Sequence, residues 1–276
     1  FMKEFAAAAR IKRPHGVVAI DGKALRRGYD RGKSHMPPIM VTAWAAQTRM
    51  ALANVLAPNN NEAAAALQVI DLIQLKGCVV TADALHCHRA MAKAIVARGG
   101  DYVLTVKDNQ PALLAEAKAA LWAGRRKGLA SSTTRDAAHG RREKRSARVV
   151  PVEGMAEKHG FPGIAAVACI TSKRGSDKTI ERYFLMSQCY SRAEVLRIVR
   201  EHWTIENSLH WPLDVILDED LARSRKDNAP ANLAVLRRLA LNLARAHHEP
   251  KISLRAKLMR AGWDDRFLFD MLSHMR

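Results

Sequence analysis

Two short hydrophobic runs, each closed by an aspartate, constrain this chain most. Gly16-Val17-Val18-Ala19-Ile20 ends in Asp21, and Cys78-Val79-Val80-Thr81-Ala82 ends in Asp83. Runs this short and this apolar do not alternate, so they read as strands buried on both faces of a sheet. Tyr102-Val103-Leu104-Thr105-Val106 is a third of the same kind. Ile39-Met40-Val41-Thr42-Ala43-Trp44 and Leu52-Ala53-Asn54-Val55-Leu56 read as two more strands, joined by a turn near Gln47-Thr48-Arg49.

Helical signals separate these runs. Asn59-Asn60-Asn61-Glu62 supplies cap-type residues ahead of an apolar series from Leu67 to Leu75, stopped by Gly77. A helix is expected over residues 86–97, closed by Gly99-Gly100, and another over 110–122. Ser191 and Glu194 form a capping box ahead of Val195, Leu196, Ile198, Val199 and Trp203. That stripe puts Glu206 on the same helix or its continuation. A long amphipathic helix follows over 228–247, with weaker ones at 254–260 and 265–275. Strands alternating with helices, with one antiparallel side, define an α/β chain.

The segment 124–148 departs from this pattern. It carries nine Lys/Arg (125, 126, 127, 135, 141, 142, 144, 145, 148) against Asp136 and Glu143. Residues 164–170 and 181–187 then read as strands about a turn at Lys173-Arg174-Gly175-Ser176-Asp177. A solvated basic loop with a hairpin and a DNA-contacting insertion are both consistent with it. The domain divisions expected are 1–124 (first part of the core), 125–187 (basic β-rich insertion), 188–248 (completion of the core) and 249–276 (helical tail).

The 276 residues carry a formal charge of +18, and 48% of them are hydrophobic. Disordered basic tails are not this apolar, so the charge belongs to a folded protein whose default partner is a polyanion. Ribosomal or membrane-surface binding would explain the charge as well. The four cysteines, at 78, 87, 169 and 189, lack C-x-x-C spacing, as expected of free thiols in a reducing compartment. No stretch approaches the ~20 apolar residues needed to span a bilayer. A cytoplasmic protein with no membrane partner is the expectation. About 15 residues precede the first strand.

Aspartates at two strand ends and a glutamate on a later helix are what two-metal phosphoryl transfer needs, because Mg²⁺ prefers carboxylates and water to a His/Cys cage. With 27 acids in the chain, many triplets are possible, and an isolated acid at a strand end is more often a turn residue. His86-Cys87-His88 lacks a second cluster at zinc spacing, so a packed Cys87 is the better reading. Lys107 and Asn109 could hold a phosphate or be plain loop residues. Asp214, Asp218, Glu219 and Asp220 read as a solvated face paired with Arg223 and Arg225, with Glu219 or Asp220 as a reserve third ligand. Arg237, Arg238 and Arg245 are either a DNA-facing stripe or an ordinary polar face.

Six motifs stand in register: Val18-Ala19-Ile20-Asp21-Gly22-Lys23, Thr81-Ala82-Asp83-Ala84-Leu85-His86, Gly99-Gly100-Asp101-Tyr102-Val103-Leu104, Lys107-Asp108-Asn109-Gln110-Pro111, His139-Gly140-Arg141, and His202-Trp203-Thr204-Ile205-Glu206-Asn207-Ser208-Leu209-His210-Trp211. In this order the chain, from about residue 16 to 247, resembles the DDE transposases of bacterial insertion sequences, in the branch of the H-repeat-associated proteins. The resemblance implies a ribonuclease-H-like mixed five-stranded sheet of order 3-2-1-4-5, with helices on both faces. It also implies a β-rich insertion before the last catalytic acid and a helical C-terminal part.

Carried over by motif, Asp21, Asp83 and Glu206 would be the catalytic, metal-binding triad, holding two Mg²⁺ or Mn²⁺ ions. The implied reaction is metal-dependent hydrolysis of double-stranded DNA at element ends, then attack of the 3′-hydroxyl on target DNA by a homodimer assembled on DNA. Lys23, Arg26, Arg27, Lys107, Asn109, Arg141, His202, His210, Arg237 and Arg238 would contact DNA. An inactive DNA-binding remnant and a non-transposing nuclease of the same fold are the alternatives. Related enzymes often carry a Tyr and an Arg upstream of the glutamate and a Lys downstream; those offsets hold Val199, His202 and Leu213 here. Family members usually begin with a helical DNA-recognition segment ahead of the first catalytic strand, and only about 15 residues precede that strand here; a fragment or truncated element lacking that segment is one reading. Pro212 interrupts the helix after Glu206, more than a turn downstream, and Glu206 is expected to keep its place.

Overall fold

The computed structural model describes residues 16–28, 36–126, 130–138, 141–175, 177–249 and 251–273, with side chains at all of these but 135–138, 141 and 142. Residues 29–33 of the basic loop after the first strand, His139-Gly140, Ser176 and the side chain of Arg141 lie outside that description, as does the stretch before Gly16.

The strands are β1 (Gly16–Ala24), β2 (Ile39–Ala45), β3 (Met50–Leu56), β4 (Cys78–Ala82), β5 (Asp101–Val106), β6 (Ser132–Ala138), β7 (Arg141–Pro151), β8 (Ala166–Arg174) and β9 (Ile180–Met186). They form one sheet in the order β3-β2-β1-β4-β5-β9-β8-β7-β6. The first five stand in the expected order 3-2-1-4-5. The sheet is mixed: β2 and β3 pair antiparallel, β4 and β5 parallel. The helices are α1 (Glu62–Asp71), α2 (Arg89–Ala97), α3 (Pro111–Arg126), α4 (Met155–His159), α5 (Arg192–His202), α6 (Trp211–Val215), α7 (Ala229–Ala246), α8 (Leu254–Arg260) and α9 (Asp265–Ser273). Helices cover both faces of the sheet, and α7, α8 and α9 make a helical C-terminal part.

The chain divides into two compact units, one built from Ala19–Ile73 and the residues from Trp203 onward, the other from Gln74–His202 with the start of β1. In the first unit, α1 packs on β2 and β3, and α7 packs on β3. The cap expected at Asn61 is formed, its side chain accepting from Ala64 N at 3.0 Å. The β2–β3 register slips between Ala43 and Trp44, so Ala43 faces Ala53 while Trp44 faces Ala51. Buried Asn242 of α7 fills the slip: Ala51 N donates to its Oδ1 at 3.0 Å, and its Nδ2 donates to Ala51 O at 2.8 Å. A side-chain amide thus does for β3 what a neighbouring strand would do.

In the second unit, β9 pairs antiparallel with β5, and β8, β7 and β6 follow antiparallel in turn. The β-rich insertion therefore continues the sheet. The basic segment is two strands, one of them the eleven-residue β7. Its inward positions are Ala147 and Val149, with partly exposed polar residues between. Among the described side chains of β7 these two alone are buried, and the rest of the strand is mainly Lys, Arg and Ser, so hydrophobicity alone does not display it. The α3 helix packs on β7, β8 and β9.

Replacing Asn242 by Leu leaves two backbone groups of Ala51 unpaired in a buried site. Urea unfolding should show a loss of about 2–5 kcal/mol with unchanged slope. A loss under 1 kcal/mol would show that water or a shifted register takes over the pairing.

Candidate functional site

Asp21 sits on β1, and Glu206 follows α5. A turn at Trp203 separates α5 from a wider, π-type turn, Glu206–His210, that runs directly into α6. The π geometry has a cause in the sequence. Pro212 has no backbone N–H to offer the carbonyl of Ser208 four residues before it, so an ordinary helical turn cannot close there. The turn widens, Trp211 N donating to Glu206 O, and the Ser208 carbonyl takes a hydrogen bond from Arg245 Nη2 of α7 instead. On the other side of Glu206, buried Trp44 donates its indole N–H to Thr204 Oγ1 at 3.0 Å. Glu206 is therefore held from both flanks, and Pro212 does not displace it.

The widened turn brings Glu206 and His210 together. His210 Nδ1 lies 2.9 Å from Glu206 Oε2 and 3.7 Å from Asp21 Oδ2. One ligand atom from each of Asp21, Glu206 and His210 lies within 4.8 Å of the others, and no other group of three His, Cys, Asp or Glu does so among the described residues. His210 is buried, Asp21 partly exposed and Glu206 exposed, so the cluster has a dry back and an open front. Burial is the main cause of a lowered His210 pKa; Glu206 opposes it, while Arg238 and Lys23 add to it. A neutral imidazole and two carboxylates form a donor set for a divalent ion that takes mainly oxygen, and the nitrogen suits Mn²⁺ better than Mg²⁺.

Gly22, beside Asp21, meets a close neighbour that its sequence position did not reveal. A Cβ there would stand 2.6 Å from the carboxylate carbon of Glu62 on α1. A side chain there would require the flexible end of Glu62 to move away. The Gly22 N–H donates to Asp21 Oδ1 at 3.0 Å and fixes the carboxylate on the strand.

Asp83 belongs to the other unit. It is exposed, follows β4 directly, and leads into a single 3₁₀ turn, Ala84–His86, without using its side chain as a cap. That turn is tied down by the motif after β5: Asn109 Nδ2 donates to Ala84 O at 2.6 Å and Gln110 Nε2 to Cys87 O at 3.1 Å. Asn109 is thus placed as a positioner of the Asp83 turn, while Lys107 is exposed. His202, at the end of α5, has Nδ1 3.0 Å from Thr81 Oγ1 on β4. His88 caps α2, its Nδ1 accepting from Met91 N, and burial pushes the Cys87 thiol up to about 12. Cys87 is thus a packed residue, as expected, and His88 is a helix cap.

Three expectations need correction. Lys23 does not present its charge to a ligand: it is buried, with Nζ 2.8 Å from Asp214 Oδ1 and 3.0 Å from Asp220 Oδ1. Arg238 is 1% exposed and pairs with Glu219 at 2.9 Å while donating to Thr42 Oγ1 and Ala234 O. The run Asp214, Glu219, Asp220 is therefore not a solvated face. It turns inward around Lys23 and Arg238, and Glu219 is consumed there and not held in reserve for a metal. Arg26 remains exposed and pairs with Asp220 at 3.1 Å; Arg27 uses its carbonyl to hold Arg225; Arg237 donates to Leu217 O. The signal missed was the apolar context of Arg238, which stands on the buried stripe of α7 with Ala234 and Leu241.

Arg238→Met should lose about 3–5 kcal/mol of stability in urea unfolding, because Glu219 is left buried without its close partner. The salt slope of DNA binding should not move; a changed slope would mean Arg238 meets phosphate. Iodoacetamide at pH 8 should alkylate exposed Cys189 while Cys78, raised by burial to about 11, and Cys87 stay protected in the folded protein. Equal labelling of all three would contradict that packing.

Comparison with known proteins points to one family. The family model described as the transposase DDE domain matches residues 12–243. The YbfL protein of Escherichia coli K12 is 29% identical over 93% of this chain and 71% of its own length. The H-repeat-associated protein YhhI of the same strain is 28% identical over the same shares, and YncI of Escherichia coli O157:H7 is 31% identical over 93% and 69%. The last two carry transposase designations. Among solved structures, the piggyBac transposase, seen in a synaptic complex with hairpin DNA, matches with a TM-score of 0.52 at 14% identity. The match covers 96% of this chain but only 54% of that one, and it is a likeness of fold. With the family match spanning most of its length, this chain belongs to the transposase DDE domain family.

Proposed function

We propose that the chain is a transposase that hydrolyses phosphodiester bonds at the ends of an insertion sequence and transfers the freed 3′-hydroxyl to target DNA. The observation that carries this reading is the convergence of Asp21, Glu206 and His210, from β1 and a distant helical turn, on one ligand-sized space. Asp83, exposed directly after β4, is carried as the further carboxylate of the reaction, which would use two Mg²⁺ or Mn²⁺ ions.

The residues of the chain have distinct tasks in this reading. Asp21 and Glu206 bind cation; Asp21 is oriented by the Gly22 N–H, and Glu206 by the Trp44 and Arg245 bonds on either side of it. When bound, the ions would lower the pKa of the attacking water or hydroxyl and neutralise charge on the phosphoryl oxygens. His210 supplies the third donor of the cluster, and its burial closes the back of the site to water. Asn109 and Gln110 fix the turn that carries Asp83.

The formal charge of +18 draws DNA to the site, and Arg26, Arg27, Lys107, Arg141, His202 and Arg237 are its proposed contacts. The working assembly is a homodimer on DNA.

The test is Mn²⁺-dependent nicking of supercoiled plasmid, together with Mn²⁺ titration of the protein alone. Asp21→Asn, Asp83→Asn and Glu206→Gln should each lower nicking by more than about a hundredfold, beyond the loss typical of outer-shell partners. Thermal melts should match wild type. Nicking by any of the three at the wild-type rate would remove that residue from the site. Wild-type Mn²⁺ binding in Asp21→Asn would remove the cation site itself.

A further inference from the structure

Within the first unit, a cavity of about 640 Å³ opens on the far flank of the Glu206 turn. Asn207, Ser208 and Trp211 line one wall, and three arginines, Arg49, Arg245 and Arg255, line the others. No carboxylate is among the described residues around it. Guanidiniums gathered without an acid repel one another and stay together at a cost unless an anion completes the set. At Arg245, burial first and the like charge of Arg49 after it lower the guanidinium to about 10. One terminal nitrogen of Arg245 holds the Ser208 carbonyl, while the other, Nη1, is buried and meets no acceptor among the described residues.

Arg49 adds an independent sign. It ends the turn between β2 and β3 at φ 55°, its N–H bonded to Ala45 O at 2.9 Å. That left-handed position favours glycine or asparagine, and an arginine there is held against local strain. A side chain kept where glycine would fold more easily points to a use for the guanidinium. Trp211, more than half exposed, offers a flat aromatic face on the same cavity. The volume falls in the range of small-ligand pockets and suits one nucleotide.

We infer that this cavity binds one nucleotide of an unpaired DNA strand, its phosphate on Arg49, Arg245 and Arg255 and its base against Trp211. The inference rests on the reading of the chain as a DNA-processing enzyme and adds a strand-holding site beside the cation site. Arginines supply the anion contacts, and an aromatic platform accepts any base, so the site reads strand state and not sequence.

The test uses the full chain and short thymidine oligonucleotides, with binding followed by tryptophan fluorescence. Arg49→Ala with Arg255→Ala should weaken single-strand binding about tenfold or more and lower the log–log salt slope by about 0.7 for each phosphate no longer neutralised. Trp211→Leu should weaken it about fivefold or more, with much of the quenching gone. Trp211→Tyr, which keeps a stacking face, should restore affinity where a purely structural loss would not. Wild-type affinity and slope in both the arginine and tryptophan variants would overturn the inference. So would thymidine 5′-monophosphate binding as tightly as a hexanucleotide, which would mark a free-nucleotide site. Wild-type chain that nicks plasmid while its pocket variants bind single strands normally refutes the pocket alone. Wild-type chain that neither nicks nor binds refutes the enzymatic reading beneath it.

Discussion

The first unit depends on a charge network whose two cations are buried. Arg238, in the middle of α7, is buried against Glu219, and Lys23, two residues beyond Asp21, is buried between Asp214 and Asp220. A charge removed from water is tolerated only when paired and hydrogen-bonded, and each of these is. The pairings join three parts of the sequence: the end of β1, the segment after the π turn, and α7. Such a network adds little net stability compared with an apolar core, but it rejects every arrangement in which one charge lacks its partner. Its effect is registry: the strand carrying Asp21 and the segment following Glu206 have one way to fit.

The π turn is the second device, and it depends on a missing atom. With no N–H at Pro212, the helix after Trp203 cannot close regularly, and the freed Ser208 carbonyl is taken up by Arg245. Arg245 also lies over the Trp44 ring at 5.1 Å, and Trp44 holds Thr204. The two contacts bracket Glu206 and leave its carboxylate free to face Asp21 and His210. Wide turns of this type are common where a helix must aim side chains that regular spacing would misdirect.

Much of this was legible in the sequence, for identifiable reasons. Asp21 and Asp83 stood out because apolar runs end abruptly at them, and the order 3-2-1-4-5 followed from the resemblance carried by the surrounding motifs. Glu206 was marked by its aromatic flanks. The roles of Lys23 and Arg238 were not legible, because a basic residue in a chain of +18 gives no sign of whether it faces water or a buried acid. Their acids, Asp214 and Glu219, looked like a polar face for the same reason. His210 was visible as part of a motif, but its placement between Asp21 and Glu206 required the widened turn, of which only Pro212 gave notice. The strands β6 and β7 were hidden because most of their residues are charged, polar or alanine, which gives a hydrophobic pattern little to show.

The amide of Asn242 has a meaning beyond the bonds it makes. β3 is an outer strand of the sheet, and outer strands are where one chain can zip onto another. At Ala51 both backbone groups are already engaged by a side chain from α7, next to a register slip that bends the strand. The border is closed chemically and distorted geometrically at the same point. For a chain proposed to work as a homodimer on DNA, this separates two kinds of self-association: assembly directed by nucleic acid is left open, while extension of the sheet from this edge is discouraged.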